Sequence, residues 1–130
     1  MTIYALSSGP GLAGISVIRV SGPNTRKIIS ELTKKGLPEP RLAARRKFNK
    51  INNNELIDEG ILIWFPGPSS YTGEDMAEFH VHGSKAVIDA MHSAISNVDG
   101  CRLAEPGEFT KIAFQNGKIN LLKAESISDL

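Results

Sequence analysis

The sequence predicts an α+β domain in which helices pack on a mixed β-sheet. Segments dense in β-branched residues, such as ISVIRV at 15–20, predict buried strands. Two further strand-like segments, 42–51 and 55–65, flank the turn sequence NNN and predict a hairpin. Helical segments interrupt these strands, and a hairpin beside other strands argues against a purely parallel sheet.

The first part of the chain predicts two strands and a helix. Residues 2–8 form the first strand, which ends at the sequence GPG, and the strand ISVIRV follows it. The helix lies within 21–36, where Ser21 or Asn24 can cap the first turn and Gly36 ends the last one. The apolar stripe of this helix consists of Ile28, Ile29 and Leu32.

The second part of the chain predicts a loop, two strands and two helices. After the hairpin, a loop rich in glycine and proline at 66–75 leads to a strand at 76–83. Residues 84–98 carry apolar side chains at helical spacing, 101–104 form a short strand, and 106–118 form a helix after a Pro-Gly turn. The predicted order is therefore β-β-α-β-β-β-α-β-α.

Composition limits the class of protein. The chain has 130 residues, enough for one domain with a buried core, and 41% of them are hydrophobic. A formal net charge of +1 predicts no strong field toward nucleic acid or a membrane. Cys101 is the single cysteine, which excludes an internal disulfide and favours a reducing compartment. The N-terminal sequence lacks the features of a signal peptide and no apolar run approaches the ~20 residues that span a bilayer, so we expect a cytoplasmic location.

Nucleotide-binding motifs do not explain this chain. GPGLAG, at 9–14, matches the pattern GxGxxG, but a strand-forming segment follows it where a dinucleotide-binding site needs a helix. A glycine-rich turn that lets the backbone approach a ligand or a second chain is the alternative. The sequence also lacks GxxxxGK[ST], so a P-loop is excluded from these 130 residues.

The segment 70–84, SYTGEDMAEFHVHGS, carries the densest functional signal. Its apolar residues Ala77, Phe79 and Val81 alternate with Glu78, His80 and His82, so the polar side chains share one face of a strand. Three interpretations remain open at this point. The row is the solvated face of an ordinary strand, a metal site of the E-x-H-x-H type, or the wall of a ligand pocket framed by the loops on either side.

Four motifs in series identify a family. ISVIRVSGP, WFPGPSSYTGED, EFHVHGS and EPGEFTKIAFQNGKINLLKAESISDL occur in this order and together cover most of the chain. They closely resemble the N-terminal domain of the tRNA-uridine-modification GTPase family, known as MnmE or TrmE.

This resemblance implies a function for the chain and for a longer parent protein. The family's N-terminal domain has a fold similar to the tetrahydrofolate-binding domain of aminomethyltransferases, forms a homodimer and binds 5-formyl-tetrahydrofolate or a related reduced folate. The parent protein is a hydrolase that binds GTP with magnesium and potassium, and acts with a flavin-dependent partner protein on tRNA, with no membrane involved. It modifies C5 of the wobble uridine, and the folate is the expected one-carbon donor.

The resemblance also predicts how the chain is divided. Residues 1–118 correspond to the folate-binding and dimerisation domain, and 119–130 correspond to the first turns of a truncated helical domain. The GTP-binding domain is inserted in that helical domain, so we expect the 130 residues alone to be inactive. The apolar face of 121–130 is expected to be frayed or packed against a neighbour.

Three folate contacts of the family fall on residues of this chain. They are Arg19 in RVSG, Glu78 after TGED, and Lys118 in NGK. The 2-amino group and N3–H of a pterin are donors that match the two oxygens of Glu78. The acidic glutamyl tail or the pterin oxygen suits Arg19 and Lys118. No catalytic or metal-binding residue carries over, and the alternative is a metal-dependent enzyme that uses Glu78, His80 and His82.

Some positions depart from the family pattern. Leu12 and Ala13 replace an arginine and a glycine in the first glycine-rich turn, and Ser84 replaces the second glycine of HGG. The effect of these changes on folate binding is open. A basic cluster, Arg41, Arg45, Arg46 and Lys47, either contacts tRNA or forms a solvated strand and turn.

Overall fold

The computed structural model describes residues 1–7 and 14–120, and within them the predicted order of elements is confirmed. The helices predicted from apolar spacing and the strands predicted from β-branched segments all form. The elements are β1 (Thr2–Leu6), β2 (Ile15–Ser21), α1 (Thr25–Thr33), β3 (Ala44–Asn49), β4 (Leu56–Phe65), β5 (Met76–His82), α2 (Lys85–Ser96), β6 (Cys101–Leu103) and α3 (Glu108–Gln115).

The six described strands form one mixed sheet in the order β3-β4-β5-β2-β1-β6. The predicted hairpin is the antiparallel pair β3–β4, and β2 pairs antiparallel with both β5 and β1. The short strand β6 runs parallel to β1 at the edge. The predicted α+β class with a mixed sheet is therefore confirmed, while the likeness to aminomethyltransferase folate domains remains a prediction.

Helices α1 and α2 cover one face of the sheet, which we call the first face. Alternate side chains of the central strands, including Ile18, Leu62 and Phe79, are completely buried against them. Phe48 of β3 meets Phe79 edge-to-face, with ring centroids 5.3 Å apart. The apolar alternation predicted for Ala77, Phe79 and Val81 is confirmed, because all three belong to this core.

The opposite face of the sheet, the second face, is only partly covered. Ile3, Met76 and Phe109 form a smaller buried cluster there, in which α3 and the loop 66–75 pack on one end of the sheet. At the other end of the same face, the side chain of Ile15 is 63% exposed. The described residues therefore leave part of the second face open to solvent.

Capping differs from the prediction at both ends of α1. Asn24 occupies the N-cap position, but its side-chain Nδ2 donates to the carbonyl oxygen of Asp99 at 2.7 Å and does not cap the helix. The helix ends before Gly36, because Lys34 adopts the left-handed conformation with φ 58°. The first difference arises because Asn24 makes a contact with a distant residue that the local pattern does not encode.

Ser84, one of the departures from the family pattern, has a structural role. It is the N-cap residue of α2, and its side-chain oxygen accepts a hydrogen bond from the backbone N–H of Val87 at 3.2 Å. Serine at this position therefore supplies a cap that glycine lacks.

Cys101 is partly buried against the main core. Burial raises the pKa of its thiol, which disfavours the reactive thiolate. Within 1–7 and 14–120, no helix has the length and apolar character needed to cross a membrane. The predictions for Leu12, Ala13 and the helix face at 121–130 concern residues outside the described ones, and the boundary at 118 and the cytoplasmic location remain predictions.

We predict that Gly60→Ala destabilises the domain. A β-carbon at Gly60 would lie 2.0 Å from the carbonyl oxygen of His80 on the neighbouring strand, so the two strands would have to separate. We expect the free energy of unfolding to fall by at least about 1–3 kcal/mol, the usual cost of overpacking. Urea unfolding followed by circular dichroism measures it.

Gly36→Ala is the matched control. A β-carbon at Gly36 has no atom within 4 Å, and the residue lies outside the left-handed region. Its free energy of unfolding should change by less than about 0.5–1 kcal/mol. Equal stability of the two variants would show that the strands at Gly60 yield without cost.

Candidate functional site

Glu78 and Arg19 stand side by side on the second face. In the antiparallel register, Arg19 of β2 and Ile63 of β4 are the direct neighbours of Glu78 on β5. Residues directly opposite each other in antiparallel strands project to the same side of the sheet. Two of the three predicted folate contacts are therefore brought together, one acidic and one basic.

A cavity of about 260 Å³ lies over this pair. Its walls combine two aromatic rings and a methionine with two arginines, a carboxylate and a serine. Apolar walls with a few convergent polar groups are typical of small-molecule sites. The lining residues are Arg19, Arg41, Phe65, Ser70, Tyr71, Met76 and Glu78.

Arg19 is held between two aromatic rings. Its guanidinium carbon lies 5.4 Å from the ring centroid of Tyr71 and 5.3 Å from that of Phe109. The Tyr71 hydroxyl is in turn 3.1 Å from the hydroxyl of Thr110 on α3, which holds this ring against the helix. Cation–π contact with both rings restricts the guanidinium and keeps its charge at the cavity wall.

Glu78 shares a hydrogen bond with His80, two residues along the same strand. His80 Nε2 lies 3.0 Å from Glu78 Oε1, and the two side chains are 27% and 28% exposed. The two side chains meet because residues i and i+2 of a strand project to the same side. A carboxylate has about four acceptor positions, so one donor from His80 leaves capacity for ligand donors.

His82 belongs to a separate pair. Its ring Nδ1 lies 2.8 Å from Oδ1 of Asp58 on β4, and its backbone N–H donates to Oδ2 of the same residue at 2.8 Å. Partial burial acts to raise the pKa of Asp58, but the hydrogen bonds from His82 outweigh it and lower the pKa overall. The two histidines of the row thus contact two different carboxylates.

This separation bears on the metal hypothesis. In the described part of the chain, no three histidine, cysteine, aspartate or glutamate side chains are grouped so that they can hold a metal ion. Glu78–His80 and Asp58–His82 are two pairs, and a protein metal site needs at least three ligands in most cases. The alternative of a metal-dependent enzyme using Glu78, His80 and His82 gains no support from this geometry.

The loop 66–75 roofs the cavity and is anchored at several points. The backbone N–H of Gly67 donates to Oδ1 of Asp75 at 2.8 Å, which closes the loop on itself. The side-chain amide of Asn116, at the end of α3, donates to the carbonyl oxygen of Thr72 at 2.7 Å. The roof is therefore positioned by α3 as well as by the strands it connects.

Lys118, the third predicted contact, reaches the same loop from outside the cavity. Its ammonium Nζ donates to the carbonyl oxygen of Pro68 at 2.9 Å, and the side chain is exposed. Lys118 is not among the residues that line the cavity. The structure thus places it at the rim of the roof, separate from the pair formed by Glu78 and Arg19.

Sequence reasoning missed Arg41 as a residue of this site. The guanidinium carbon of Arg41 lies 5.5 Å from the ring centroid of Phe65, and its Nη2 donates to the carbonyl oxygen of Ser69 in the roof. Arg41 was placed in a basic cluster because Arg45, Arg46 and Lys47 lie close to it in the sequence. The one local signal was its position directly after Pro40, whose ring fixes the φ angle of the backbone just before Arg41.

The basic cluster does not form one patch. Arg45 pairs with Glu59 across the β3–β4 hairpin, with Nε 3.2 Å from Oε2, and its side chain is 77% exposed. Arg46 follows it on the strand and therefore projects to the other face. Arg41 instead forms part of the cavity wall. A tRNA contact by this cluster remains a prediction.

A larger cavity, of about 340 Å³, lies elsewhere in the described structure. It is situated between the hairpin turn at 50–53 and one side of α2, and Lys50 is the charged side chain in its lining. Its lining contains no carboxylate and no aromatic ring, so it offers fewer groups that recognise a heteroaromatic ligand. The cavity at Glu78 and Arg19 combines aromatic walls with a carboxylate and two arginines, and we take it as the candidate functional site.

Comparison with known proteins adds independent information. Residues 2–118 match the family model described as the GTP-binding protein TrmE N-terminus. A tRNA modification GTPase MnmE of Pelagibacter ubique is 72% identical over 130 residues, which are 100% of this chain and 29% of that protein. A mitochondrial 5-taurinomethyluridine tRNA synthase subunit of Danio rerio is 50% identical over 129 residues, 99% of this chain and 26% of that protein. A tRNA modification GTPase MnmE of Brucella ovis is also 50% identical over 129 residues, 99% of this chain and 29% of that protein. The chain thus spans less than a third of the length of these relatives.

Proposed function

The chain belongs to the family of TrmE N-terminal domains, and from that premise we propose that it binds a reduced folate and dimerises within a longer tRNA-modifying GTPase. The ligand is 5-formyl-tetrahydrofolate or a closely related folate. In the parent protein it supplies the one-carbon unit that modifies C5 of the wobble uridine.

The observation that carries this proposal is the cavity with Glu78 and Arg19 side by side. The 2-amino group and N3–H of a pterin form a donor edge that pairs with a carboxylate, as in bidentate recognition. Phe65 and Tyr71 provide flat apolar walls suited to a fused ring. Arg19 places a fixed positive charge where a pterin oxygen or a carboxylate can accept from it.

The size of the cavity supports the same assignment. Whole drug-sized ligands occupy pockets of roughly 300–1,000 Å³. The 260 Å³ found here suits the ring portion of a folate and leaves the glutamyl tail outside. The rim occupied by Lys118 is then the expected place for an acidic tail.

The remaining chemistry belongs to other parts of the parent protein. GTP, magnesium and potassium bind in a domain beyond these 130 residues, and a flavin-dependent partner protein and tRNA complete the complex. The names of the relatives as tRNA modification GTPases, and the absence of a P-loop sequence here, support this division. No catalytic role falls on the residues of the cavity.

We predict that Glu78→Gln weakens binding of 5-formyl-tetrahydrofolate by about ten- to a hundredfold, because a donor NH₂ replaces one acceptor oxygen facing the donor edge. Loss of a charged hydrogen bond costs about 1.5–3 kcal/mol. Calorimetric titration measures the affinity, and circular dichroism confirms the fold. Glu59→Gln, on the exposed hairpin and outside this cavity, is the matched control and should bind like the parent.

His80→Gln tests whether the assignment of Glu78 is correct. Glutamine retains an N–H donor for the Glu78 carboxylate, so affinity should change by less than about threefold. If Glu78→Gln binds like the parent while His80→Gln abolishes binding, Glu78 is not the pterin anchor.

We predict that the purified 130-residue chain hydrolyses no GTP. The reason is that the sequence lacks GxxxxGK[ST], the P-loop pattern whose backbone N–H groups cradle nucleotide phosphates. Release of inorganic phosphate, measured beside the full-length parent protein as the positive control, tests it. Turnover that persists through repeated purification would contradict the proposed division of labour.

We predict that the chain is a homodimer at micromolar concentration, and that Ile15→Glu weakens the dimer. Ile15 is opposite His82 in the sheet and 63% exposed at the uncovered end of the second face, where a charge would oppose apolar contact. Light scattering measures the mass. Leu56→Glu, at the exposed start of β4, is the control and should leave the dimer intact; a parent chain that is only monomeric would overturn the proposal.

A further inference from the structure

We propose that Arg41 is a further binding residue of the cavity, and that with Lys118 it forms a two-cation subsite for the acidic tail of the ligand. This inference rests on the proposed folate-binding function. It assigns to the rim of the cavity a preference for ligands with several carboxylates.

The two cations attach to consecutive carbonyl groups of the roof. Lys118 Nζ donates to the carbonyl oxygen of Pro68, and Arg41 Nη2 donates to that of Ser69. One peptide unit separates the two acceptors. A lysine from the segment after α3 and an arginine from the segment before β3 therefore converge on one short stretch of the loop 66–75.

Neither cation is neutralised by a carboxylate in the described part of the chain. The contacts of Arg41 are the Ser69 carbonyl and the Phe65 ring, and that of Lys118 is the Pro68 carbonyl. A carbonyl oxygen satisfies one donor but leaves the charge in place, and an arginine has five N–H donors. Two unneutralised cations near each other favour an anion that carries more than one negative charge.

Arg41 is positioned before any ligand arrives. Its backbone N–H donates to the carbonyl oxygen of Trp64 at 2.8 Å, so the residue is tied to the end of β4 beside the cavity. Its guanidinium is held over the Phe65 ring, which itself lines the cavity. A planar guanidinium held in this way loses little freedom when it binds a carboxylate.

The position of the subsite follows from the size of the cavity. A ring bound between Glu78 and Arg19 occupies the interior, and its tail must leave past the roof. The roof carbonyls that hold Arg41 and Lys118 lie on that route. Each added glutamate brings a further carboxylate to the rim, so affinity should rise with the number of glutamates.

Calorimetric titration of the 130-residue chain with two forms of 5-formyl-tetrahydrofolate, the monoglutamate and the triglutamate, tests this inference. We expect the parent to prefer the triglutamate by about tenfold, and Arg41→Gln to reduce that preference to less than about twofold. Arg45→Gln, from the same basic stretch but paired with Glu59 on the hairpin, is the matched control and should keep the preference.

A second variant and a salt series keep the result interpretable. Because Arg41 has φ 65°, Arg41→Asn is the substitution best tolerated by the backbone, and it should give the same loss if Arg41→Gln folds poorly. Added salt should remove the preference of the parent and change that of Arg41→Asn little, since exposed charges are screened.

The outcomes separate this inference from the function on which it rests. A parent that binds neither folate overturns the proposed function, and this subsite with it. A parent that binds both forms equally, or an Arg41 variant that keeps the preference, overturns the subsite alone. Equal losses for both folates in the Arg41 variants would also overturn it, because the residue would then act on the ring or on the fold.

Discussion

The register between β2 and β5 is the constraint on which the site depends. It places Arg19 opposite Glu78 and, one residue along each strand, Ile18 opposite Phe79. A slip of one residue would move every side chain of a strand to the other face. Glu78 would then enter the main core and Phe79 would face the cavity, so the same apolar packing that stabilises the sheet also places Glu78 in the cavity wall, where we propose that it meets the ligand. No further interaction is needed to hold the polar side chains of β5 on the second face.

The partial cover of the second face creates a cavity above Glu78 and Arg19. Helices α1 and α2 cover the core on the first face, while α3 covers the second face around Ile3 and Phe109. The loop 66–75 extends that cover over Glu78, and α3 anchors the loop through Asn116. Because the roof rests on the helix, the shape of the cavity depends on a segment more than thirty positions further along the chain.

Local sequence patterns predicted the helices and strands, and they predicted that Glu78, His80 and His82 face away from the main core. They did not predict the contacts between residues far apart in the chain. Strand alternation is encoded within a few residues, which is why Glu78 was placed correctly opposite the core. The family resemblance supplied Arg19 and Lys118, which spacing alone does not single out. Arg41 was missed because its partners, Phe65 and Ser69, lie more than twenty residues away and are reached only when β4 pairs with its neighbours. Asn24 was misassigned for the same reason, since the carbonyl that it contacts belongs to Asp99.

Net charge is a poor guide to what this chain binds. The formal charge of +1 argues against a large basic surface, and the exposed pair Arg45–Glu59 shows how surface charges compensate one another. At the cavity rim the balance differs, because Arg41 and Lys118 have no carboxylate partner among the described residues. Screening confines such charges to about 8–10 Å at physiological salt, so a large partner responds to the average and a small ligand responds to the local excess. A near-neutral chain can therefore attract a small anion locally, provided that its cations converge on one rim.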